Sequence, residues 1–241
     1  MTNRSFPLIC AHTGCGAAPD NTLAFFMESI ALSADVAEVD LRVTEDGTVV
    51  LMHDDSPLLH ELSFEQLNQL ENRIKISLAY EFHTIATLDE VLGISRENGI
   101  KLNLDIKTEA VIAPVIRSIR HYEMEDLVFI TGCSVGITDS HHGIKVLYNT
   151  ADVLTSEVER EYVAWAHTVC EWANASGYYG LNMNYRTCRR ELVEYAHMLG
   201  LVVWVYTVDD EESLNEMIRL GVDEITTNEV ELLKQLKTEI G

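Results

Sequence analysis

Positive charge is what this sequence has least of. Lys and Arg number 17 against 39 Asp and Glu, which leaves a formal net charge of −22 and a pI near 4.6. Such a chain repels the backbone of nucleic acid and the anionic surface of a membrane, so neither is expected as a general partner. An acidic protein that handles a phosphate ester needs a metal or a local cation to offset its own field. No run of 18 apolar residues occurs, so no transmembrane helix and no integral membrane association are expected. The opening MTNRSFPLICAH lacks the apolar core and small-residue cleavage site of a secretory leader. Cysteines are few and odd in number: Cys10, Cys15, Cys133, Cys170 and Cys188 lie far apart in a chain large enough to need no staples. Reduced thiols in a cytoplasmic protein are the expectation. Cys10 and Cys15 flank His12, but a zinc site wants four nitrogen or sulfur ligands at closer spacing.

What is present is a repeating alternation of short apolar strands and amphipathic helices. At 47% hydrophobic the 241 residues can bury a large core. Strands are expected at 6–11, 36–43, 101–107, 127–131, 145–148, 179–183, 201–206 and 223–226. An extra strand over 48–53 returns from the Glu45-Asp46-Gly47 turn, Asp-Gly being a strong hairpin dipeptide. Helices are expected from a cap at Asn21 or Thr22, and over 63–71, 87–98, 109–122, 155–175 (one helix or two), 187–199, 209–220 and 228–237. The capping patterns Ser63…Gln66 and Thr87…Glu90 mark two of the starts, and Gly99, Gly200 and Gly221 mark three of the stops. Eight strands alternating with helices predict an α/β fold, a (β/α)₈ TIM barrel, and with no linker or composition shift a single domain over 1–241.

In such a barrel the active site lies at the C-terminal ends of the strands. His12, Glu38, Asp40, His53, Asp105, Lys107 and Trp204 all fall within or just after a predicted strand. Glu38 and Asp40 are two apart in a strand, so both carboxylates face the same way. Two such groups on one buried face repel unless a cation or proton lies between them, and a hard divalent ion with oxygen ligands answers that need. Asp105 and Lys107 repeat the spacing on the next expected strand. If the two strands are neighbours, Glu38, Asp40 and Asp105 can surround one cation. Lys107 then lies beside them, either to meet a phosphate oxygen or as half of a structural ion pair. His12 and His53 suit the two ends of a displacement, one taking a proton and the other giving it. Trp204 is a pocket wall or a barrel-packing aromatic.

The order of these motifs resembles the glycerophosphodiester phosphodiesterases along nearly the whole chain. That family shows His-Arg-Gly, Pro-Glu-Asn-Thr, Glu-x-Asp, a Thr-x-Asp-Gly hairpin, His-Asp, Thr-Leu-x-Glu-Val-Leu, Glu-x-Lys and a late Trp-Thr-Val. This chain has His12-Thr13-Gly14, Pro19-Asp20-Asn21-Thr22, Glu38-Val39-Asp40, Thr44-Glu45-Asp46-Gly47, His53-Asp54, Thr87-Leu88-Asp89-Glu90-Val91-Leu92, Asp105-Ile106-Lys107 and Trp204-Val205-Tyr206-Thr207-Val208. The resemblance implies one Mg²⁺ or Ca²⁺ on Glu38, Asp40 and Asp105. It also implies His12 and His53 as the base and acid, and a small-molecule phosphodiester met by Lys107, Trp204 and the position of Thr13.

The departures are specific. Thr13 replaces an Arg that contacts phosphate. Asp105 replaces Glu, shortening that ligand by one C–C bond, about 1.5 Å. The segment after His53 lacks the usual Arg-Thr-Thr and Gly-rich run, so a reduced capping insertion is expected. Thr227-Asn228 replaces Thr-Asp. Asp-x-Lys and the missing Arg resemble the sphingomyelinase D-like phospholipases, which form a cyclic phosphate. The third reading is a barrel that binds a phosphorylated ligand without turnover.

Overall fold

The computed structural model describes residues 5–240. Of the domain expected over 1–241, residues 1–4 and 241 lie outside the described residues. Nine strands form one sheet: β1 (Leu8–Ala11), β2 (Val36–Val43), β3 (Val49–Leu51), β4 (Lys101–Ile106), β5 (Val128–Gly132), β6 (Lys145–Asn149), β7 (Gly180–Asn184), β8 (Val202–Tyr206) and β9 (Glu224–Thr227). They are ordered β1-β9-β8-β7-β6-β5-β4-β2-β3, and a further β1–β2 pairing closes the eight parallel strands into a barrel. β3 is outside the ring, antiparallel to β2, as the Asp-Gly hairpin requires.

Local chemistry sets the helix ends. Thr22 caps the helix Leu23–Ala31 by accepting from Phe25 N–H. Thr87 and Glu90 form a reciprocal capping box on Leu88–Asn98, and Gly99 ends that helix at φ 70°. The 155–175 stretch is two helices, Ser156–Arg160 and Tyr162–Ala175, split at Glu161. The helix expected over 63–71 is also two, Phe64–Leu67 and Leu70–Ile76, because Gln69 is extended. Both belong to an insertion between β3 and the Leu88–Asn98 helix. With Pro57–Glu61 and the 3₁₀ turn Leu78–Glu81 it builds a small core of its own around Val50, Met52, Leu59, Leu67, Tyr80 and Ile85. The capping insertion is therefore short but folded.

Strand alternation divides the barrel into two faces. Val39, Leu41, Leu104 and Ile106 point outward into the layer of helices and are buried there among Phe25, Val91, Leu92, Val111 and Val115. The inward face carries a floor of Phe129, Leu147 and Trp204, with the Phe129 and Trp204 rings 4.5 Å apart between centroids. Such a buried aromatic pair contributes about 0.5–1.5 kcal/mol beyond its area. Above that floor the inward side chains turn polar, and a cavity opens.

Candidate active site

The cavity at the C-terminal mouth has a volume of about 320 Å³, and His12, Glu38, Asp40, His53, Asp105 and Lys107 all line it. β2 and β4 are adjacent and parallel with Asp40 opposite Asp105 and Glu38 opposite Asn103. The even residues of β2 and the odd residues of β4 therefore share one wall. One oxygen from each of Glu38, Asp40 and Asp105 lies within 4.8 Å of the others.

Each carboxylate is held by a different element. Glu38 Oε2 accepts from Thr13 N–H at 3.1 Å. Asp40 Oδ2 accepts from Asn21 Nδ2 at 2.7 Å, and Asp40 N–H donates back to Asn21 Oδ1 at 3.0 Å. Lys107 Nζ bridges Asp40 Oδ1 (2.6 Å) and Asp105 Oδ2 (2.5 Å). Burial first, then Asp40 and Asp105, push the Glu38 carboxyl well above the usual carboxylate range. Burial likewise raises Asp105, against the pull of Lys107. Burial works to lower the Lys107 pKa, but Asp105 and Asp40 outweigh it and raise it, so the ammonium stays charged. Asp105 Oδ1 is buried with no hydrogen-bond partner. Three hard oxygen donors, mutual repulsion and one unsatisfied oxygen are what a divalent cation would satisfy, so this cluster can hold one. Gly132 is tied to the same place. At φ 74° it passes so close that a Cβ there would collide with Asp105 Oδ1 and Ile106 O.

The histidines differ in how they are held. His12 lies one residue beyond β1, its N–H on Thr227 O at 3.0 Å. Its Nδ1 is 3.0 Å from Asn228 Oδ1. Asn228 is itself oriented by Asp209, which accepts from Asn228 Nδ2 at 2.9 Å and Asn228 N–H at 2.8 Å. The amide oxygen must then face His12, so Nδ1 is the donor and Nε2 is left with its lone pair. His53 lies two residues past the end of β3, outside the strand expected over 48–53, with its side chain two-thirds exposed. Arg42 fixes its backbone, donating from Nε and Nη2 to His53 O at 3.0 and 2.8 Å. Its Nδ1 meets Asp54 Oδ1 at 2.7 Å, and that bond holds the Asp54 carboxyl below its usual value.

Two residues expected to meet substrate, Trp204 and Thr13, are not among those lining the cavity. Trp204 is 2% exposed and belongs to the barrel floor, because β8 must run two residues further to reach the mouth; Tyr206, on the same face, lines the cavity instead. Thr13 is buried, with Oγ1 accepting from Asn21 N–H at 2.7 Å, so its side chain braces the loop. The sequence did not single out Asn103, Asn149, Asn182 and Tyr206, which line the cavity, or Asn21 and Asn228, which brace Asp40 and His12. Asn21 stood as an alternative cap, whereas at φ 55° it turns its amide onto Asp40. Alternation could have found Asn103 in KLNLDIK and Asn182 in GLNMN, which share the inward face.

The glycerophosphoryl diester phosphodiesterase family matches residues 12–232 of the chain. A glycerophosphodiester phosphodiesterase of Caldanaerobacter subterraneus is 28% identical over 97% of this chain and 99% of that protein. One from Bacillus altitudinis is 26% identical over 91% and 94%. Among solved structures, a putative glycerophosphoryl diester phosphodiesterase from Silicibacter pomeroyi superimposes with a TM-score of 0.81 at 18% identity, over 98% of this chain and 95% of that one. A phosphodiesterase of Oleispira antarctica superimposes with a TM-score of 0.77 at 21% identity, over 97% of each chain. With a family match spanning both histidines and all three acids, the chain belongs to the glycerophosphoryl diester phosphodiesterase family, a family of phosphoric diester hydrolases.

Proposed function

We propose that this protein is a metal-dependent glycerophosphodiesterase that releases an alcohol and sn-glycerol 3-phosphate, with His12 as general base and His53 as general acid. The convergence of both imidazoles and the three-carboxylate cluster in one cavity carries this reading. The Oleispira structure, described as a complex with the product sn-glycerol-3-phosphate, supports a small-molecule substrate. Glu38, Asp40 and Asp105 are the residues that would hold a Mg²⁺ or Ca²⁺, which supplies Lewis-acid stabilisation of charge on the phosphate oxygens.

The chain's own groups do the rest. His12 Nε2, with its lone pair exposed by the Asn228–Asp209 relay, takes the proton of the attacking water. His53, with Nδ1 on the Asp54 carboxylate, is set to carry a proton on its other nitrogen and deliver it to the leaving alcohol. Among the described residues Lys107 is the one Lys or Arg lining the cavity, and its charge offsets that of the phosphoryl group. Among the described residues no helix is long and apolar enough to cross a membrane. We place the enzyme in the cytoplasm on its free cysteines.

A second reading keeps the same base but takes the proton from the substrate's own neighbouring hydroxyl, giving a cyclic phosphate. The buried Thr13 side chain and the Asp105–Lys107 pair favour it. Hydrolysis of a glycerophosphodiester followed by phosphorus NMR, with and without added Mg²⁺ or Ca²⁺, decides between them. Release of sn-glycerol 3-phosphate only with metal is expected. A cyclic product would select the second reading. A metal-dependent rise in melting temperature with no turnover of any diester would leave a binding barrel and overturn both.

A further inference from the structure

We propose that Arg42 is a positioning residue for the general acid, holding the backbone of His53 so that its imidazole stays turned toward the leaving alcohol. This inference rests on the functional reading above, in which His53 is that acid, and names what keeps it in place. Strand alternation puts Arg42 on the face of β2 that carries Glu38 and Asp40, two residues nearer the mouth. One strand thus carries two carboxylates of the cation cluster and the anchor of the acid.

His53 needs an anchor. The pairing of β2 with β3 runs out at Leu41 opposite Leu51, and the last backbone bond before His53 is Met52 N–H to Asp40 O at 2.9 Å. The chain then leaves the sheet in a bend, with the His53 side chain two-thirds exposed. An exposed side chain on such a turn samples several rotamers unless bonds restrict it. Among the described residues, the hydrogen bonds of His53 go to Arg42 and to its own neighbour Asp54. Arg42 is therefore the tie between His53 and the barrel.

The form of that tie matters. Arg42 Nε and Nη2 lie on one edge of a planar fork and both donate to His53 O, at 3.0 and 2.8 Å. A carbonyl gripped by two donors of one rigid group cannot swing, which fixes the peptide plane between His53 and Asp54. The Asp54 carboxylate follows that peptide, and the ring bonded to it through Nδ1 at 2.7 Å inherits the orientation. Through Nη1 the same guanidinium lies 3.8 Å from Asp55, so it spans the whole turn, and its own side chain is only 15% exposed. Arg42 is not among the residues lining the cavity, so it acts through His53 and not on the substrate. The step it serves is transfer of the His53 proton to the leaving oxygen as the P–O bond breaks.

The test follows leaving-group dependence in Arg42→Met and Arg42→Gln. Met keeps the apolar stem and removes both donors. Gln places Nε2 where Arg has Nε, and so keeps one donor without the charge. With a glycerophosphodiester of an aliphatic alcohol, Arg42→Met should lower kcat by about 10- to 100-fold with KM little changed, the scale of a misplaced catalytic group. Arg42→Gln should recover part of that loss. With the p-nitrophenyl diester of glycerol phosphate, whose leaving group needs no acid, the loss should disappear. Adding Arg42→Met to His53→Ala should cost nothing further on the aliphatic diester, because the two residues act as a unit. Wild-type kcat in Arg42→Met, equal losses on both diesters, or an additive double variant would overturn the inference and leave Arg42 a support of the fold. If Arg42→Met does not fold, Arg42→Gln carries the same comparison. Leaving-group dependence in His53→Ala but not in the Arg42 variants sinks this inference alone; its absence in His53→Ala sinks the acid assignment and this inference with it.

Discussion

The two walls of the cavity solve opposite problems with side chains of similar size. The β2–β4 wall packs Glu38, Asp40, Asp105 and Lys107 together, and three bonds to a charged group hold them: Thr13 N–H to Glu38, and Lys107 Nζ to Asp40 and to Asp105, at 2.5–3.1 Å. The side chains that β6 and β7 themselves contribute to the cavity, Asn149 and Asn182, are uncharged. Asn149 and Asn182 hold each other at 3.2 Å, and one amide oxygen is left over. Charge-assisted bonds are about twice as strong as neutral ones, so the first wall is rigid enough to position a reaction. Breaking the charged wall should therefore abolish chemistry on every diester, whereas breaking the neutral Asn149–Asn182 contact should leave the carboxylate cluster in place.

The largest effects are expected at the histidines. His12→Ala and His53→Ala should each lower kcat by about 10²–10⁴-fold, and the double variant should lose much less than the product of the two. A p-nitrophenyl diester, whose leaving group needs no acid, should rescue His53→Ala and not His12→Ala. Rescue in the reverse pattern would exchange their roles, and near-wild-type rates in both would remove the catalytic assignment.

Next comes the carboxylate cluster. Asp105→Asn should lose about 10²-fold or more with the fold intact, since a neutral amide is a poorer ligand for a hard cation. Calorimetric titration with Mg²⁺ and Ca²⁺ should find weaker binding in Glu38→Ala than in wild type. Equal affinities would show that these acids merely line the barrel.

Glu224 sharpens the contrast, because it is a buried acid with no cation beside it. It is 0% exposed, accepts from Thr226 Oγ1 at 2.9 Å, and burial pushes it from 4.5 up to about 8. The folded state therefore keeps a proton that the unfolded chain releases above about pH 4.5. Its contribution is complete below that pH and is lost as the pH rises through about 8, at a cost of roughly 5 kcal/mol across the window. Denaturant unfolding at pH 5, 6.5 and 8 should show Glu224→Gln gaining on wild type as the pH rises. Parallel pH profiles would mean that Glu224 is ionised when folded.

The smallest effect is expected at Asn228, which touches neither wall. Asn228→Ala removes the acceptor that fixes the His12 tautomer. A loss of about tenfold in kcat, with KM little changed, corresponds to one hydrogen bond. An unchanged kcat would show that Thr227 O alone is enough to place His12.

The sequence by itself determined the barrel and the charged wall. Strand alternation is strict, so Glu38 with Asp40, and Asp105 with Lys107, had to share faces; outward Val39 and Ile106 left the acids nowhere else to point. The helix start at Thr87 was equally legible, and the one at Thr22 was narrowed to Asn21 or Thr22, because a cap is a contact between residues three apart. Only the tertiary structure decided the rest. The depth of Trp204 depends on where β8 meets Phe129 across the barrel, which no local pattern encodes. The exposure of His53 depends on β3 ending at Leu51, and the role of Thr13 on a bond to Asn21 eight residues on. The Asn149–Asn182 pair joins residues 33 apart, and Asn228 reaches His12 across 216. Amides carry no charge to announce them, and their function is set by which neighbour the closed barrel brings within hydrogen-bond distance.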